Sequence, residues 1–161
     1  MDVATQLRSL IGSLARGSGV FGCVVARQGT SVPDLVREVA AKAERAWKDY
    51  AVAGAVGPDT PEEVKEALSQ IDGVRAVDLL TYLAAEDLVF PGTPRRDRAH
   101  VHRVAERVVR LLGYQSDWYT NISDLSPRAR AWDPVTRHTF DGVVAGISND
   151  FAVVLLQVGE D

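Results

Sequence analysis

Five side chains that carry or can take a positive charge, Arg96, His100, Arg103, Arg107 and Arg110, recur at steps of four, three, four and three residues. On an α-helix, turning 100° per residue, they share one face. Their chemistry would be recognition rather than turnover. Guanidinium groups fork onto carboxylates or phosphates, and a row of them about 21 Å long, at 1.5 Å per residue, meets several anions at once. Val101, Val104, Ala105, Val108, Leu111 and Leu112 cover most of the opposite side. The segment Pro94 to Gly113 therefore reads as a helix buried along one face and offering cations on the other. A row kept only for solubility would mix signs, whereas Asp97 and Glu106 point away from the five positions.

The remaining reactive side chains are spaced less productively. His100 and His102 diverge by about 200° on a helix and share a face only if the segment is extended. His102 and Glu106, at i and i+4, suit a surface ion pair and fall short of the three or four ligands of a metal site. His138 and Asp141, three apart in RHTFDG, point to opposite faces of a strand. Cys23 is the single cysteine, and its setting in VFGCVVA reads as a buried small hydrophobe whose apolar neighbours raise the thiol pKa. There is no GxSxG elbow and no phosphate loop; GSGVFG at 17–22 follows a helix and reads as a linker. No catalytic, cofactor-binding or metal-ligating residue is assigned, and no cofactor is expected.

The elements that must position these residues follow from periodicity and punctuation. Leu7, Leu10, Ile11 and Leu14 mark a short amphipathic helix ended by Gly17-Ser18-Gly19, and the β-branched run Val20 to Ala26 reads as a strand. Ser31 to Gly54 is a helix with Ser31 as cap, Pro33 in the first turn, and Leu35, Val36, Val39, Ala43, Trp47 and Tyr50 on its core face. Thr60-Pro61-Glu62-Glu63 is a capping box in which Glu63 returns a hydrogen bond to the cap amide, opening a helix from Pro61 to Ile71. Asp72-Gly73 breaks it, and Val74 to Leu88 resumes. Thr93-Pro94 repeats the threonine–proline start for the basic helix.

After Gly113 the residues turn aromatic and β-branched, separated by Asp-Pro, Asp-Gly and Ser-Asn-Asp. Arg137 to Ile147 and Phe151 to Val158 read as strands joined by Ser148-Asn149-Asp150, with Asn149 able to take a positive φ. The run FAVVLLQV is apolar on both faces, as a central or helix-covered strand must be. Trp118, Tyr119 and Trp132 pack its approach. The expected architecture is a single α+β domain: four or five helices over 1–113, packed with a small antiparallel sheet and hairpin from 114–161.

Composition excludes other classes. A chain of 161 residues, 46% hydrophobic and 25% charged, is neither disordered nor too short for a core. Its longest apolar runs fall far below the roughly 20 residues of a membrane span, and MDVATQLRSLIGSLARG lacks the basic start and apolar stretch of a secretory signal. A cytoplasmic, membrane-free protein is expected. The net charge of −4 is unevenly spread: residues 91–110 hold six basic and two acidic side chains, while 141–161 hold four acids and no Lys or Arg. Such a chain can hold an anion locally while its far field opposes long-range capture, and it suits self-association of basic face on acidic face.

The run TPEEVKEALSQIDGVRAVDLLTYLAAEDLVFPGTPRRDRAHVHRV resembles two helices and the wing of a winged helix-turn-helix regulator of the MarR type. The resemblance implies DNA binding, with Val74 to Leu88 as reading helix and PRRDRAHVHRV as an Arg-rich strand pair. Periodicity over those same residues implies a helix instead. The expectation is a non-enzymatic protein that binds an acidic protein surface or copies of itself through Arg96, His100, Arg103, Arg107 and Arg110. A DNA-binding regulator is the alternative, and an enzyme of unknown chemistry is the third reading.

Overall fold

Helix starts are set by side-chain caps throughout the computed structural model, which describes residues 1–46, 57–126 and 130–160. The Asp2 carboxylate accepts the Thr5 N–H at 2.7 Å and opens α1 (Val3–Leu14), whose buried edge is Leu7, Leu10, Ile11 and Leu14. β1 (Val20–Ala26) follows, with the bounds its β-branched run suggests. Ser31 caps α2 (Val32–Ala46): its hydroxyl accepts from the Asp34 N–H at 3.2 Å and donates to the Asp34 carboxylate at 2.6 Å. Trp47, Tyr50 and the expected extension to Gly54 lie outside the described residues.

Thr60 caps α3 (Pro61–Ala67), but Glu63 accepts from the Thr60 hydroxyl at 3.2 Å instead of reaching the cap amide. The helix also ends earlier than its pattern suggests. Leu68 is extended, and Ser69–Ile71 form β2 because β3 (Asp117–Thr120) offers them an antiparallel ladder, Ser69 facing Thr120 and Ile71 facing Trp118. A long-range partner here outweighs local helical periodicity. Asp72 does more than break the chain: its carboxylate accepts the Arg75 N–H at 2.7 Å and caps α4 (Gly73–Ala85), which stops short of Leu88.

Thr93-Pro94 does not start a helix. Pro94 bridges to Glu86 and Arg95 N–H bonds the Ala85 carbonyl at 2.7 Å, so this stretch is held extended and Asp97 caps α5 (Arg98–Leu112). β4 (Ile122–Asp124) and β5 (Ala131–Trp132) form a small hairpin; β6 (Phe140–Ile147), starting after Arg137, and β7 (Phe151–Gly159) form a long one. No described non-glycine residue has positive φ, so Asn149 does not use the expected turn conformation. The Ser148 hydroxyl holds the turn instead, accepting from the Asp150 and Phe151 amides at 3.2 and 3.1 Å.

The main sheet is antiparallel in the order β1-β7-β6-β3-β2. The chain is thus α+β, with the sheet sandwiched between helices rather than stacked as a separate C-terminal layer. β7 sends Val153 and Leu155 into a core with α1, α4 and α5, and Ala152, Val154, Leu156 and Val158 into a second core with α2 and α3. That two-sided burial accounts for its unbroken apolar run. The one polar side chain in the strand, Gln157, is fully used. Its amide donates to the Leu83 and Glu86 carbonyls at 2.7 and 2.8 Å, and its oxygen accepts the Leu88 N–H at 2.8 Å, closing the frayed end of α4. Gly22 lets α1 lie close on β1, since a Cβ there would sit 2.6 Å from Ile11.

Candidate cationic docking face

α5 lies between α1 and α4 and runs antiparallel to both. Arg96, just before α5, reaches the end of α1, while Val3 at the start of α1 shares a cleft with Leu111 and Leu112. On the other side Arg98 pairs with Glu86 at 2.7 Å, and His102 lies 3.4 Å from the Thr81 hydroxyl. Val101, Val104, Ala105, Val108, Val109 and Leu112 are buried, so the polar side of α5 is turned to solvent in the middle of the helical layer.

The five expected residues divide. His100, Arg103 and Arg107 are exposed, and no described residue bonds their side chains. Arg110 is exposed and lies 3.9 Å from Glu106, which also pairs with His102 at 2.7 Å. Glu106 therefore borders the row and does not point away from it. Arg96 leaves the row altogether, because the helix begins after it. Its guanidinium donates to the Ser13 and Leu14 carbonyls at 2.8 and 3.4 Å, satisfying acceptors that the last turn of α1 leaves open. Burial, and then the nearby Arg16, hold its pKa below the usual value. Arg96→Ala is accordingly expected to cost about 1–2 kcal/mol of stability, measured by urea unfolding. Arg103→Ala should leave the midpoint unchanged.

The sequence pattern missed a contribution from α1. Arg8 is exposed there and Arg16 just past its C-terminal cap; neither makes an ion pair among the described residues, and the Asp2 carboxylate at the start of the helix is the one acid that feels Arg8. The antiparallel register sets Arg8 beside the Arg103 level of α5. The signal was present as Arg8 on the flank of the Leu7, Leu10, Ile11 and Leu14 stripe, but only the pairing of the two helices makes it one surface. The arrangement can hold carboxylates or phosphates in a plane across two helices.

The reading helix and wing implied by the winged-helix resemblance are not available. Residues 98–112 are helical, and α4 is buried over most of its length, exposing Val74 and Asp78 with Arg75 half-exposed. The other candidate chemistry resolves into structural contacts. His138 Nδ1 lies 3.0 Å from Glu160, whereas Asp141 is held separately by Thr136, Val135 and Asn121, so the two form no acid–base pair. Cys23 is half-buried beside Glu38 and Lys42, and burial pushes its thiol up to about 11. Among the described residues no group of three or more His, Cys, Asp or Glu side chains is placed to hold a metal ion. A cleft of about 480 Å³ opens at the sheet end, where Arg27 is tied to the Ser148 carbonyl at 3.0 Å. No described helix is long and apolar enough to cross a membrane. Comparison with protein-family models, curated proteins and solved structures finds no match for the chain.

Proposed function

We propose that this chain is a non-enzymatic binding module whose helical layer docks an acidic surface of another protein. One observation carries the reading: Arg103 and Arg107 of α5, and Arg16 just past the end of α1, are exposed with no partner among the described residues, and Arg8 of α1 is exposed with only the charge of Asp2 near it, while Arg95, Arg96, Arg98, Arg130 and Arg137 are each held by a carbonyl or carboxylate. Cations left uncompensated in one patch favour encounter with a surface of opposite sign. The chain's own acidic end is a poorer match. Among its described acids Asp141 is buried and Glu160 is occupied by Thr139 and His138, leaving Asp150 alone exposed, which favours a different acidic protein over basic-on-acidic self-assembly.

The test measures a fluorescent Glu-rich helical peptide and a fluorescent DNA duplex against the wild type and the double variant Arg103→Ala/Arg107→Ala, at low and moderate salt. Peptide affinity is expected to fall about three- to tenfold in the variant, as two lost exposed charge contacts imply, and to weaken with salt. Equal peptide binding by both proteins would overturn the proposal. Duplex binding tighter than peptide binding, and lost in the variant, would replace it with the nucleic-acid reading.

A further inference from the structure

From the open edge of the main sheet we infer that two copies of this chain pair antiparallel through β1, Val20–Ala26, joining their sheets into one. This inference is independent of the cationic face. β1 is an edge strand bonded only to β7. Two bonds at its ends fix the alternation, Val158 N–H to the Gly19 carbonyl at 2.8 Å and Arg27 N–H to the Asp150 carbonyl at 3.0 Å. Odd-numbered residues therefore bond inward to β7, and Gly22, Val24 and Ala26 turn both N–H and C=O outward. No described residue takes those groups.

Edge strands that must stay single are usually short, charged, bulged or interrupted by proline. VFGCVVA has none of these devices over seven residues, and its pairing with β7 is regular. Phe21 to Val25 are all half-exposed, so α1 and α2 lie over the two faces without closing the edge.

Symmetry and charge both favour a second copy of the chain as the occupant. A twofold axis at Cys23 aligns all seven residues with their counterparts, Val20 against Ala26 and Gly22 against Val24. Gly22 and Val24 then meet their counterparts with both groups free, as an antiparallel ladder requires, while Val20, whose N–H bonds the Gly17 carbonyl at 3.1 Å, offers only its carbonyl to Ala26. Charge complements this register. Glu38 and Lys42 of α2 both act on Cys23, both are exposed, and neither has an ion-pair partner among the described residues. Rotation about an axis at Cys23 brings Glu38 of one copy against Lys42 of the other. A foreign strand would find the same backbone edge but not this reciprocal pair.

Sedimentation velocity on the full chain at about 50 μM tests the inference. The wild type should run as a dimer. Val24→Pro should be monomeric with an unchanged circular dichroism spectrum, because its lost N–H faces outward and proline is tolerated there. Should that variant fail to fold, the surface changes on α2 decide. Lys42→Glu is expected to weaken the dimer at least tenfold, and the exchange Glu38→Lys with Lys42→Glu to restore it. A wild type that stays monomeric at 200 μM, a folded Val24→Pro dimer, or a dimer indifferent to Lys42→Glu would each overturn the proposal.

Discussion

Trp118→Ala lowers the unfolding free energy by about 4 kcal/mol, seen as a fall in the urea midpoint with little change in slope. The indole is fully buried against the sheet. A Cβ at Gly146 would stand 2.5 Å from its ring, and Leu112 of α5 closes on the same glycine at 2.7 Å. The ring N–H donates to the Gly113 carbonyl at 3.3 Å, so one residue joins β3, β6 and the end of α5. Truncation leaves a cavity between β3, β6 and the end of α5. Against a typical total of 5–15 kcal/mol, the loss is a large share. A loss below about 1 kcal/mol would show that Trp118 does not organise this end of the core.

Asp141→Asn is expected to cost about 3 kcal/mol despite its unchanged shape. The Asp141 carboxylate is almost fully buried and accepts from the Thr136 hydroxyl at 2.8 Å, the Thr136 amide at 2.9 Å, the Val135 amide at 3.2 Å and the Asn121 side chain at 2.8 Å. A carboxamide turns donors toward donors and unpins the loop leading into β6. Burial is the dominant influence on this carboxyl and pushes its pKa up to about 6, opposed by those hydrogen bonds. The folded state thus holds the proton more tightly than the unfolded chain does. Its stabilising contribution is full below the unfolded pKa near 3.8 and is lost as pH rises through about 6. The wild type should therefore gain stability from pH 7.5 to pH 5 relative to Asp141→Asn. Thermal melts across that range that show no such difference would contradict the assignment.

Sequence legibility tracked how far the determining contact lay. β1 and the ends of β7 were readable because β-branched runs and turn residues carry their own signal, and α1 because its apolar stripe is local. Ser69–Ile71 was misread as helix because its partner lies in β3. The start of α5 was placed too early because Thr93-Pro94 imitates a cap, while Asp97 supplies the real one. That shift removed Arg96 from the cationic row and gave it to α1 as a clasp. Arg8 and Arg16 join the face only through the pairing of α1 with α5. No local pattern specifies which two helices will be neighbours.

The pairing of β1 with β7 sets the order in which this molecule can assemble. Val20 faces Gln157 and Ala26 faces Phe151, so the first strand has no ladder to join until nearly the whole intervening chain has been made. The β6–β7 hairpin, by contrast, closes locally, and α4 and α5 can dock on it early. β1 and α1 then arrive as late additions, after a long loop has paid its closure entropy. Until that moment β7 itself is the open edge of the sheet, its most apolar strand exposed. A nascent or heat-perturbed chain is thus most prone to aggregate in the interval before its N-terminal strand returns, and mutations that slow β1 docking should lower soluble yield more than they lower equilibrium stability.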